Sequence, residues 1–166
     1  MRSVIAIALV FGSVVLGAAK SNTNLTGEYA RDFGALKQLS LAIAKAMPVE
    51  RWDFRPHSES MNFGRLTSRI ATTNYQFCAA LKDSDPPRVN TANDRDLIIK
   101  LLSGSFDYCS GVIGHLSEDQ LAATHNTPDG QLTGREALLA MYLHVAHQAA
   151  RLNSLFATIG SGRLDI

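Results

Sequence analysis

The stretch Asp94-Arg95-Asp96-Leu97-Ile98-Ile99-Lys100-Leu101-Leu102-Ser103-Gly104-Ser105-Phe106 repeats large apolar side chains three and four positions apart, and Val112 and Ile113 carry the pattern on toward His115. Residues so spaced share one face of a helix, so the period predicts an amphipathic helix over 94–115. Asp94 and Asp96 suit the positive end of its dipole. Upstream, Phe63, Leu66, Ile70, Tyr75, Phe77 and Leu81 mark a helix that opens near Asn62 and stops at Asp83-Ser84-Asp85-Pro86-Pro87.

Further upstream, Phe33, Leu36, Leu39, Leu41 and Ile43 fill one face of a helix from Thr26 to Ala46, ended by Met47-Pro48. The link Val49-Glu50-Arg51-Trp52-Asp53-Phe54-Arg55-Pro56 reads as extended, with Trp52 and Phe54 packing over the end of the core. Downstream, Ser117-Glu118-Asp119-Gln120 has the form of a capping box and opens a short helical turn. Thr124 to Gln131 reads as a loop centred on Pro128-Asp129-Gly130. A second capping box, Thr133-Gly134-Arg135-Glu136, starts a long helix through Leu138, Leu139, Tyr142, Leu143, Leu152, Leu155 and Phe156, stopped by Gly160-Ser161-Gly162. Four long helices and no convincing strand predict an all-α four-helix bundle.

Composition excludes more than it selects. The 166 residues hold 16 Lys+Arg against 15 Asp+Glu, a formal charge of +1, with no basic run to engage a phosphate backbone, so nucleic acid is not an expected partner. With 46% hydrophobic residues the chain is expected to fold as one domain. Met1-Arg2 followed by Val4-Ile5-Ala6-Ile7-Ala8-Leu9-Val10-Phe11, Val14-Val15-Leu16 and the small residues Gly17-Ala18-Ala19 reads as a signal peptide over 1–19, cleaved after Ala19. An uncleaved anchor is the other reading; either way the domain, 20–166, is exported to the periplasm or secreted, with no membrane contact beyond that segment. Cys78 and Cys109 are the two cysteines. In an oxidising compartment they could be joined, or they could be two buried thiols, and sequence leaves both open.

His144 and His147 lie three apart on the last helix, the spacing by which one helix offers two imidazoles to Zn²⁺, Ni²⁺ or Fe²⁺. A catalytic centre of this kind needs a third protein ligand, and His57, His115 and His125 fall in the link, at a helix end and in a loop. No Ser-His-Asp or Cys-His arrangement suggests a nucleophilic hydrolase, and no glycine-rich loop suggests nucleotide use.

Met47-Pro48-Val49-Glu50-Arg51-Trp52-Asp53-Phe54-Arg55-Pro56, then Ser60-Met61-Asn62-Phe63-Gly64-Arg65-Leu66, then Asn74-Tyr75-Gln76-Phe77-Cys78 and Ser105-Phe106-Asp107-Tyr108-Cys109 resemble the ordered phrases of DinB-like proteins. The resemblance, to the DinB/YfiT superfamily, implies a four-helix bundle. It also implies a metal site of three histidines, one on the second helix and two spaced by four on the last. In this sequence the second-helix position is Arg69. On the last helix one register places His147 and Arg151 at the two ligand positions, and a second places His144 and Gln148 there. Arginine keeps its proton and offers no lone pair to a metal.

Two functions follow from this reading. The first is an exported DinB-like module of unassigned activity without the metal centre, and so without a cofactor, that binds a small anion or a partner where Arg69 and Arg151 face His147. The second is a divergent metal-dependent transferase or hydrolase using His144 or His147 and metal-bound water. A plain structural reading competes with the first: both arginines pair with acids such as Glu28, Asp32 or Asp107. The family resemblance also raises a homodimer as the assembly.

Overall fold

The computed structural model describes residues 25–89 and 94–160; the expected signal peptide over 1–19, with its expected cleavage after Ala19, lies outside the described residues. Four long helices, α1 (Leu25–Ala46), α2 (Phe63–Ala80), α3 (Arg95–Ile113) and α5 (Gly134–Gly160), form the bundle, with a short α4 (Glu118–Ala122) before the last. Their starts follow from local chemistry. Asn62 accepts from the Arg65 N–H and caps α2, and Asp94 accepts from the Leu97 N–H and caps α3. Ser117 and Gln120 close a reciprocal box on α4. The Glu136 carboxylate accepts from both the N–H and the hydroxyl of Thr133 at α5.

The expectation of no strand fails between Thr124 and Thr133. In place of the expected loop from Thr124 to Gln131 there is a two-stranded antiparallel hairpin, β1 (Thr124–Thr127) and β2 (Gly130–Thr133), with His125 opposite Leu132. Pro128 and Asp129 make its turn and Gly130 takes φ 103°, a conformation that favours glycine. Four-residue strands as polar as Thr-His-Asn-Thr carry no usable alternation, so their pairing is not visible in the hydrophobic pattern. The link after α1 also differs from an extended segment: Val49–Arg51 is a single 3₁₀ turn, whose end delivers Trp52 into the core.

Packing sets the topology. Asn74 meets Ser105 and Cys78 meets Cys109, so contacts advance together along α2 and α3 and the two helices run parallel. Parallel neighbours cannot be joined by a tight turn, which explains the long connection from Leu81 to Asp94. α1 opposes α3, with Lys37 paired to Asp107 and the Arg95 guanidinium donating to the Lys45 carbonyl at the other end. α1 and α2 each pack against both α3 and α5. Phe33, Phe63, Phe77 and Phe106 are fully buried, with Phe33 and Phe106 rings 4.8 Å apart and Trp52 edge-on to Phe63 at 5.3 Å. Among the described residues no helix is long and apolar enough to cross a membrane.

Cys78 and Cys109 are joined, with Cα atoms 5.4 Å apart, and both are fully buried. The Met141 sulfur lies 3.4 Å from Cys78 Sγ and fills the space beside the bridge from α5.

Candidate functional site

Because α2 and α3 are parallel, their N-terminal ends lie at one end of the bundle, next to the link that follows α1. Between them opens a cleft of about 660 Å³. Arg65 and Arg69, one helical turn apart on α2, line it together with Arg95 of α3; Asp53 of the link and Asp94 and Asp96 of α3 supply the opposite charge. Gly64 allows the close approach of Trp52, whose ring carbon would stand 3.4 Å from a Cβ there. The Arg95 guanidinium lies over that indole at 5.9 Å and donates to Asp96 at 2.8 Å.

Arg65 and Arg69 are exposed, and neither side chain makes a hydrogen bond or ion pair among the described residues. Of the three acids that sequence offers as partners, Asp32 pairs with Arg31 and Asp107 with Lys37, and Glu28 closes no ion pair with either arginine among the described residues. Arg151 and His147 are exposed on α5 and do not line the cleft. The structure thus joins Arg69 to Arg65 rather than to Arg151. Sequence reasoning missed Arg65 although its signal was present, two arginines at i and i+4. Arg95, Asp53 and Asp94 had no such signal, since they reach the cleft only through the parallel packing of α2 and α3.

Two histidines, His144 and His125, are held in contacts that fasten the hairpin. His144 Nε2 lies 2.8 Å from Asp129 Oδ2 and its ring packs on Phe77 at 5.8 Å, fastening the hairpin turn to α5. Gln148, its partner in the second register, is buried. His125 is buried, with Nε2 2.8 Å from the Gln120 carbonyl oxygen and Nδ1 3.1 Å from the Asp83 carboxylate. Burial works against its charge, but the acceptors at Gln120, Asp83 and Ala80 outweigh it and hold the His125 pKa above the ordinary histidine value. Two acceptor oxygens facing both ring nitrogens are satisfied only by imidazolium, which donates from each.

Among the described residues, no three of His, Cys, Asp and Glu gather as a metal cage. The donor set Arg69, His147 and Arg151 does not fit a divalent ion, because a guanidinium brings positive charge and no lone pair.

Residues 33–150 match the family model of the DinB superfamily. The chain belongs to the DinB superfamily. Its fold is similar to a DinB-like protein from Bacillus subtilis, with TM-score 0.69 and 19% identity over 80% of this chain and 92% of that one. A conserved protein from Enterococcus faecalis is similar too, with TM-score 0.67 and 14% identity over 80% of this chain and 95% of the other. At such identities the likeness to these DinB-like folds is one of architecture. No curated protein matches the chain.

Proposed function

We propose that this chain is an exported DinB-like bundle that has replaced metal chemistry with anion binding, holding a small carboxylate or phosphate between Arg65 and Arg69. The observation that carries the reading is the pair itself: two guanidinium groups on one face of α2, open to a cleft and without an acidic partner among the described residues. Like charges at i and i+4 cost a helix stability, and an anion between them turns that repulsion into two charge-assisted contacts. Export is supported by the apolar leader and by the joined cysteines, which persist in oxidising compartments. Titration calorimetry with inorganic phosphate and with butyrate tests the site. Binding should weaken as salt rises and vanish in Arg65→Gln/Arg69→Gln. Absence of heat with either anion at millimolar concentration would sink the anion reading. Stoichiometric Zn, Ni or Fe in the untagged protein, lost in His147→Ala, would restore the metalloenzyme.

A further inference from the structure

The charges around the cleft balance, three arginines against three aspartates, and they sort into two groups. Arg95 and Asp96 neutralise each other at 2.8 Å. Arg65 and Arg69 remain on α2; Asp53 and Asp94 remain on the walls formed by the link and by α3. Among the described residues none of these four closes an ion pair with another. The two aspartates are instead oriented by neutral donors: the Asn62 amide reaches Asp53 Oδ1 at 3.1 Å, and the Leu97 N–H reaches Asp94 Oδ1 at 2.9 Å. Among the described residues the second oxygen of each makes no hydrogen bond.

Resting on the anion reading of Arg65 and Arg69, we infer that the ligand is a zwitterion, an amino acid-like molecule whose carboxylate or phosphate meets Arg65 and Arg69 while its ammonium meets Asp53 and Asp94. A plain anion gains from the arginines but meets two unpaired carboxylates in the same cleft, whereas a molecule carrying both signs is matched on both walls. The Trp52 ring does not offer the ammonium an alternative seat, because Arg95 already covers its face.

The test is calorimetric titration of the full chain with β-alanine, γ-aminobutyrate and ε-aminohexanoate, beside butyrate, hexanoate and butylamine. One of the amino acids should bind about tenfold tighter than the carboxylate or amine alone. Asp53→Asn/Asp94→Asn should bring it down to the level of the plain carboxylate, whose own affinity does not fall. Asparagine caps a helix as well as aspartate, and thermal melts verify that the variant is folded. Arg65→Gln/Arg69→Gln should abolish binding of both amino acid and carboxylate. If butyrate or hexanoate binds the wild type as tightly as every amino acid, the zwitterion inference is overturned and the anion reading stands. If the arginine variant keeps its affinity for the amino acid, or if no probe binds, both are overturned.

Discussion

The two ends of the bundle treat charge differently. At the hairpin end charged and ring groups close contacts with one another: His125 bridges Gln120 and Asp83, His144 holds Asp129, Arg135 holds Glu118, and both capping boxes are closed. At the cleft end Arg65, Arg69, Asp53 and Asp94 share a cavity without pairing. Polar groups at the first end fasten α4 and the hairpin to the bundle, a small addition with little core of its own. The cleft end rests on Trp52, Phe63 and Ile98, all buried, so its surface charges are not needed to hold it. Charge that the fold does not consume is free for recognition, and this difference can be measured.

The largest expected effect is at the hairpin half. The bridge spans 31 residues, and replacing both cysteines with serine should lower unfolding free energy by about 3 kcal/mol, read by chemical denaturation. Gly134→Ala comes next. A Cβ there would overlap the Gln120 carbonyl oxygen and lie 2.8 Å from the Leu121 Cα, backbone atoms that cannot swing aside. A loss of about 1–3 kcal/mol is expected, with the hairpin amides losing hydrogen-exchange protection first.

The His125 clamp predicts a pH dependence. Its folded pKa is raised, so the native state binds the proton more tightly than the unfolded chain. The stabilisation is fully present below the unfolded value of about 6.5 and is lost as pH rises through the raised folded value. Melting temperature should therefore fall from about pH 6 toward pH 8, and His125→Gln should flatten that slope. A slope unchanged in the variant would place the titration elsewhere. The smallest effect belongs to the cleft. Arg65→Gln/Arg69→Gln should leave stability within about 0.5 kcal/mol of the parent, or raise it slightly at low salt as like-charge repulsion is removed. A loss of about 2 kcal/mol would mean that the arginines serve the fold, and the contrast between the ends would collapse.

What the sequence determined by itself is what local physics controls. Apolar spacing gave the four long helices, Asn62, Asp94 and Thr133 located the starts of α2, α3 and α5, and Ser117 that of the short α4, because caps and periodicity act within a few residues. The Pro128-Asp129-Gly130 turn was legible for the same reason, and Arg69, which lines the cleft, was already a binding candidate in the sequence. Tertiary structure alone decided the rest. The hairpin exists because the bundle offers His125 two acceptors and Leu132 a partly buried place, neither of which a four-residue polar strand announces. The joining of Cys78 to Cys109, and the meeting of Arg65 and Arg69 with Asp94 and Arg95, both follow from α2 and α3 running parallel. That relation is set by the packing of residues some thirty positions apart, beyond the reach of helical spacing on either strand of sequence.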